Sequence, residues 1–220
     1  RHAPEVADCV GCHMGERTYM VVDDRRDHSF RIPRPDLSAR LGTPNACNAC
    51  HADREASWAV AAVADWYGEG VFERPEFATA LSAARTGHAN DALREVVHSA
   101  EQPGIAKATA LALMSQPMSA EDLAAVASAV KDPDPLHRIA AHRVLRNLPD
   151  DVRSGFGFSG LSDPVRGVRL EAALAFAPLH DLLPAADARA FRRAAEDYRA
   201  ADAYTANPPE SLAQRGDRAL

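Results

Sequence analysis

Hydrophobic residues follow two different patterns along the chain. From about residue 53 onward they recur every three or four positions, which is the spacing of one buried helical face. The first such set is Trp58, Ala62, Val63 and Trp66. Gly68 follows it as a suitable helix end. Residues 1–53 lack this period and are interrupted by many prolines and glycines. The pattern predicts a loop-rich first region followed by helices.

A weak internal repeat runs through residues 88–180. Pro103, Pro135 and Pro164 each precede an Ala- and Arg-rich amphipathic stretch, at intervals of 32 and 29 residues. Stacked helix–turn–helix units are the first expectation at such intervals. They would form a solenoid, because each helix pair buries its apolar stripe only against its neighbours. The alternative is an ordinary helical bundle in which the spacing has no meaning.

Local signals predict several helix boundaries in this second region. Ser119 and Asp122 have the spacing of a capping box. Pro75 fits the first turn of a helix that ends near residue 84. Three glycines within residues 155–160 predict a short or irregular helix, and a last helix is expected after Pro184.

Candidate chemistry lies in the first region, where the sequence Cys-x-x-Cys-His occurs twice. The residues of the two copies are Cys9, Cys12, His13, Cys47, Cys50 and His51. Two thiols at this spacing reach the two vinyl groups on one edge of a porphyrin and form thioethers, and the next residue turns an imidazole under the iron. All four cysteines of the chain belong to these motifs. The doubled motif predicts two covalently bound c-type haems, with His13 and His51 as proximal ligands.

Other uses of the four cysteines stay open. Two Cys-x-x-Cys knuckles also suit a structural zinc site, and zinc is the alternative metal if haem is not attached. The 34 residues between Cys12 and Cys47 exceed the common zinc-ribbon gap, and zinc does not require a histidine after each second cysteine. Disulfides would suit an exported protein but give no reason for the histidines. A thioredoxin-like pair would need a strand–helix–strand pattern, which the sequence lacks.

A sixth ligand is expected at each iron unless that iron is catalytic. His28 is the favoured candidate because it lies in the run Asp27–Asp36. Pro33 and Pro35 each disfavour helical backbone before them, so this run is predicted to be a fixed, extended segment. The other histidines of the helical region are predicted to be helix-surface or core residues. They are His88, His98, His137, His142 and His180.

The charge of the chain narrows the classes of partner. A net charge of -6 and a pI near 5.8 argue against a general nucleic-acid binder. No apolar run approaches the ~18 residues that span a bilayer. Basic side chains nevertheless cluster around the run Asp27–Asp36, and they would either pair with haem propionates or form a solvated basic face. They are Arg25, Arg26, Arg31, Arg34 and Arg40.

Together with the two motifs, the stretches Arg26–Ser38 and Leu41–Asp53, followed by Trp58, resemble a bacterial group of multihaem cytochromes c. In that group doubled haem motifs precede HEAT-like and then tetratricopeptide repeats. The resemblance covers residues 1 to about 68, and the helical remainder only in its style of repeat. Gly15 departs from the group, in which a proline is usual there. The resemblance implies electron transfer in the periplasm or at the cell surface, and it implies His2 as a second distal ligand.

The sequence therefore predicts a mainly α protein with a loop-rich dihaem c-type segment followed by a HEAT-like α-solenoid. The predicted limits are residues 1–68 for the dihaem segment, 69–206 for the solenoid and 207–220 for the start of a possible tetratricopeptide repeat. The chain opens at Arg1, and c-type haem is attached outside the cytoplasm. An export signal in the parent protein is therefore expected.

Electron transfer within a larger multihaem cytochrome is the function expected, with the solenoid as a docking scaffold. The expected partners are other redox proteins or further haem domains of the same parent chain, and neither nucleic acid nor a membrane span in this part. One alternative is an oxidoreductase whose open haem acts on a small nitrogen or sulfur compound. The other is a haem-free, zinc-stabilised interaction module made of helical repeats.

Overall fold

Segments rich in alanine, leucine and arginine, all good helix formers, form most of the computed structural model, which describes residues 9–87 and 89–204. These residues contain twelve α-helices and one hairpin, so the chain is mainly α, as the sequence predicts. The helices are α1 (Cys9–His13), α2 (Pro35–Leu41), α3 (Ala46–Cys50), α4 (Ala56–Tyr67), α5 (Ala78–Thr86), α6 (Asn90–His98), α7 (Gly104–Leu113), α8 (Ala120–Val130), α9 (Pro135–Leu145), α10 (Asp150–Ser154), α11 (Arg166–Phe176) and α12 (Ala185–Tyr204). The strands are β1 (Glu16–Tyr19) and β2 (Asp23–Arg26). Short 3₁₀ helices occupy Glu69–Glu73, Ser159–Ser162 and Ala177–Leu182.

The chain divides into two compact units, the first ending at Ser82 and the second beginning at Ala83. Residues 69–82 thus belong to the first unit, whereas the sequence predicts a division after residue 68. Residues 207–220, predicted to begin a tetratricopeptide repeat, lie outside the described part of the chain, as do His2 and His88. Within that part, none of the helices has the length and hydrophobicity that a membrane crossing requires.

In the first unit, two predictions of local structure need correction. The run Asp27–Asp36 is irregular only as far as residue 34, because Pro35 begins α2 at a position that suits its fixed φ. The helix predicted from Pro75 starts only at Ala78, where the Glu76 carboxylate accepts the N–H of Thr79 at 3.0 Å.

The first unit contains few buried apolar side chains. In residues 9–82 the buried hydrophobic residues are Ala59 and Ala80, joined by Pro35. Seven of the twelve large hydrophobic side chains that are exposed in the described residues lie in this unit. They are Tyr19, Met20, Val21, Val22, Phe30, Ile32 and Tyr67. The unit is therefore held together mainly by polar contacts and helix ends and not by a core of its own.

The second unit has a continuous apolar core, which runs from Ala108 to Ala194. α7 packs against α9, α9 against α11 and α11 against α12, while α6 contacts α7 and α8 contacts α9. The capping box predicted at Ser119 and Asp122 begins α8 and is confirmed. The short α10 and the 3₁₀ turn Ser159–Ser162 occupy the glycine-rich stretch predicted to be irregular. The last predicted helix corresponds to α12.

A constant interval relates the three central helices of this unit. α7, α9 and α11 begin at Gly104, Pro135 and Arg166, so successive starts are 31 residues apart. The intervals of 32 and 29 read from the prolines differ because Pro135 is the first residue of α9, whereas Pro164 lies before α11 and matches Pro133.

Arginine side chains repeat at the same interval. Arg138 in α9 donates to the carbonyls of Asp132 and Pro133 in the turn before its own helix, at 2.7 and 3.0 Å. It also donates two bonds to the Asp163 carboxylate in the turn before α11, at 2.7 and 3.0 Å. The guanidinium thus ties two successive turns together, and it holds the pKa of Asp163 below its usual value despite the burial of that carboxyl.

Arg169 in α11 makes the equivalent contacts one repeat later. It donates to the carbonyls of Asp163 and Pro164, at 2.9 and 3.2 Å, and to the Asp197 carboxylate of α12, at 2.8 Å. Lys107 occupies the corresponding position in α7 and acts electrostatically on Asp132. A ladder of cations therefore follows the helix repeat.

His142 is the most unusual side chain of this core. It is fully buried in α9, and both ring nitrogens lack a hydrogen-bond partner. A Cβ built on Gly160 would lie 2.0 Å from its Nε2, so only glycine fits opposite the ring. Burial lowers the pKa of His142 from 6.5 to about 4. The side chain is thus neutral in the folded protein at pH 7.

Replacing Arg138 by alanine should lower the free energy of unfolding by ~3 kcal/mol, because the buried Asp163 carboxylate would lose its partner. Arg143→Ala is the matched control on the same helix. Its guanidinium, 58% exposed, pairs with Glu171, and its loss should cost under ~1 kcal/mol. Urea unfolding followed by far-ultraviolet circular dichroism measures both values. Equal losses in the two variants would contradict the role given to the ladder.

Acidification should destabilise the second unit through His142. Below pH 6.5 the unfolded state binds a proton that the folded state refuses until about pH 4. The free energy of unfolding should therefore fall by up to ~3 kcal/mol between these values. His142→Leu should remove this component, whereas His98→Leu, at an exposed position, should retain it. Urea titrations at several pH values test this, and parallel pH profiles for the unchanged chain and His142→Leu would refute it.

Candidate functional site

The first Cys-x-x-Cys-His motif forms the single helical turn α1. Residues three apart in a helix lie on the same side, and Cys9 and Cys12 are both exposed. The chain then turns through the hairpin β1–β2, whose first and last residues, Glu16 and Arg26, form an ion pair at 2.9 Å. The hairpin returns the chain to the motif.

His13 is held from both ends by Arg31. The amide of Arg31 donates to the carbonyl of His13 at 3.0 Å, and the Nδ1 of His13 lies 2.8 Å from the carbonyl of Arg31. Because a carbonyl only accepts, Nδ1 must carry the proton, and the neutral ring then has Nε2 as its lone-pair nitrogen. This is the arrangement found in metal-ligating histidines, whose second nitrogen is bonded to a carbonyl or carboxylate.

The second motif is built on α3 and is braced by two asparagines. Asn45 caps the helix, since its side-chain oxygen accepts the N–H of Cys47 at 3.0 Å. Asn48 accepts from Asn45 at 2.7 Å and donates to the carbonyls of His51 and Arg54, at 3.2 and 2.6 Å. The motif thus keeps its turn through side chains that the sequence analysis did not single out. Asn45, placed directly before the motif, is the N-cap signal that could have been found.

The two motifs are neighbours in space. α1 contacts α3, and α3 in turn packs against α4. Burial and then the nearby Cys12 thiol raise the pKa of Cys47. Nothing in the order of residues dictates this proximity, because the hairpin and α2 lie between the motifs.

Each motif histidine also contacts an aromatic ring from another segment. Phe30 stacks on His13, with ring centroids 5.0 Å apart and planes 8° from parallel. Trp58, in α4, contacts His51 with a centroid distance of 4.7 Å. Neither aromatic residue was assigned a role from the sequence.

The predicted distal ligands do not gain a described position against the motifs. His28 is exposed in the turn after β2, two residues before Phe30. His2 lies outside the described residues. In residues 9–87 and 89–204 no group of three or more His, Cys, Asp or Glu side chains has the arrangement of a metal site.

The arginines around the run Asp27–Asp36 all have protein partners. Arg34 binds Asp36 through two bonds, at 2.8 and 2.7 Å, and reaches the carbonyls of residues 72 and 74. Arg40 bonds to Glu76. Arg25, Arg26 and Arg31 pair with Asp23, Glu16 and Asp27. Arg34 is committed to the fold, whereas Arg25 and Arg31 remain more than 60% exposed.

Comparison of the chain with protein-family models, curated proteins and solved structures gave no match. The argument about function therefore depends on the geometry of the two motifs.

The tautomer of His13 can be measured in the haem-free chain. We expect the Nδ1–H form, because the Arg31 carbonyl accepts from that nitrogen. Long-range ¹H–¹⁵N correlation spectra above the imidazole pKa report which nitrogen carries the proton, with the exposed His98 as internal reference. A protonated Nε2 at His13 would contradict the hydrogen bond and the ligand geometry derived from it.

Proposed function

We propose that this chain carries two covalently bound c-type haems and transfers single electrons as part of a larger multihaem cytochrome. The observation that carries the proposal is the bond between His13 Nδ1 and the Arg31 carbonyl, which prepares Nε2 to ligate iron. The proposed attachment residues are Cys9 and Cys12 for one haem and Cys47 and Cys50 for the other. His13 and His51 are the proposed proximal ligands.

The donor set fits this cofactor. Each motif offers two thiols and an imidazole within five residues, and three of the four thiols are exposed for reaction. When bound, haem supplies an iron that exchanges one electron between its ferrous and ferric states. The protein holds the imidazoles by bonds to fixed backbone and by ring contacts, so the ligands reorganise little when the charge changes.

The poor core of the first unit also supports a large apolar cofactor. Its exposed hydrophobic side chains, among them Phe30 at 57% and Ile32 at 55%, lack a protein surface to cover them. The faces of a porphyrin would supply such a surface and remove apolar area from water. Contact between α1 and α3 favours two cofactors close enough for exchange of electrons.

The second unit is proposed to be a HEAT-like α-solenoid that serves as a docking scaffold for other redox proteins or haem domains. Its support is the 31-residue interval and the ladder formed by Arg138 and Arg169. Because c-type haem is attached outside the cytoplasm, the proposed location is the bacterial periplasm or another extracytoplasmic site.

Production with a haem-attachment system tests the proposal. The mass of the chain should exceed that of the polypeptide by two haems, and a pyridine haemochrome assay should find two per chain. The double variant Cys9→Ser/Cys12→Ser should retain one haem, as should Cys47→Ser/Cys50→Ser. A polypeptide of unmodified mass would refute the proposal, and zinc bound in place of haem would favour the interaction module.

Variants with a single haem should show which iron His28 serves. Phe30 and Arg31 lie against the proximal imidazole His13, so His28, two residues earlier, is placed poorly for the opposite face of the same haem. We therefore expect His28 to ligate the iron of the second motif.

Absorption spectra check this expectation. With the first motif removed by Cys9→Ser/Cys12→Ser, His28→Ala should convert the remaining haem from low spin to high spin. With the second motif removed by Cys47→Ser/Cys50→Ser, the same change should leave the spectrum as it was. The reverse pattern would assign His28 to the first haem, and high-spin iron before the substitution would favour the enzymatic alternative.

A further inference from the structure

The aromatic contacts of the two motif histidines have features that packing alone does not explain. Phe30 remains 57% exposed although its ring stacks on His13, so the contact buries little of it. Its backbone has φ of 46°, in the left-handed region that bulky residues rarely adopt. An exposed aromatic residue in unfavourable backbone geometry suggests that the position of its ring is what matters.

The corresponding contact at the second motif is made from a rigid element. Trp58 is in the first turn of α4, a helix of twelve residues, and is half-buried. The guanidinium of Arg54 lies 5.9 Å from the centre of the indole ring. The indole is therefore fixed both by its helix and by a cation, and it presents a stationary surface to His51 at 4.7 Å.

An imidazole attached through one single bond can rotate about that bond. A ring stacked on it or tilted against it restricts this rotation, in the way that outer hydrogen-bond partners fix the orientation of ligating histidines. At His13 the bond to the Arg31 carbonyl and the Phe30 ring act together, since one fixes an edge of the imidazole and the other a face.

We propose that Phe30 and Trp58 are positioning residues, which set the rotational orientation of His13 and His51 as axial ligands. This inference rests on the proposed attachment of haem at the two motifs. Neither aromatic residue touches a reacting atom in the proposal. Each acts through the histidine that it contacts.

Electron paramagnetic resonance of the oxidised, haem-loaded protein tests the inference, because the signals of low-spin haem depend on the orientation of the axial imidazole planes. Phe30→Leu should shift or broaden the signal of one haem and Trp58→Leu that of the other. Phe30→Tyr and Trp58→Phe keep a ring in place and should restore most of each signal. The matched controls are Phe72→Leu and Trp66→Leu, which remove half-buried aromatic side chains of the same unit and should leave both signals unchanged.

The outcomes separate this inference from the proposed function. Two haems per chain with unchanged signals in both leucine variants would overturn the positioning role and leave the proposed function intact. A chain that attaches no haem would overturn both. Where a leucine variant fails to retain haem, the ring-retaining variant decides. A normal signal in Trp58→Phe supports the role, and a signal as altered as that of a control-insensitive defect, shared by Trp66→Leu, overturns it.

Discussion

The chain must stabilise its first unit without an apolar core of its own. Residues 9–82 bury little beyond Ala59, Ala80 and Pro35, and their larger apolar side chains face outward. The paired bonds between His13 and Arg31 consequently have unusual weight, since they join the first motif to the segment after the hairpin. A large flat cofactor attached at the motifs would add the missing apolar contact. The same bonds that close the backbone also orient the imidazole.

The second unit meets the same requirement by repetition. Three central helices pack in succession, and each buries small side chains such as Ala110, Ala141 and Ala172 at matching positions, 31 residues apart. Small side chains leave little apolar area per residue. The cation ladder adds polar ties between successive turns, where Arg138 joins backbone carbonyls to the Asp163 carboxylate. His142 shows the limit of the pattern, because at this position the repeat places an imidazole where α7 has Leu111 and α11 has Ala173.

Several elements could be predicted from the sequence because their causes are local. The capping box at Ser119, the irregular glycine-rich stretch and the final helix each follow from residues within a few positions of one another. The start of α5 could not be predicted in this way. Pro75 has the right φ for a first turn, but the Glu76 carboxylate caps the amide of Thr79 and moves the start to Ala78. Likewise Pro35 both ends an extended segment and begins a helix, and the sequence rule describes only the first effect.

For the candidate site, the sequence alone determined which residues have the chemistry. Two thiols and a following histidine, present twice with no cysteine left over, identify the motifs through covalent spacing, which is independent of the fold. Only the tertiary structure decided what surrounds those residues. The carbonyl of Arg31 lies 18 positions from His13 in the chain, and Phe30 reaches the same ring after a hairpin. Such contacts depend on how the backbone returns on itself, and no local pattern of residues encodes that return.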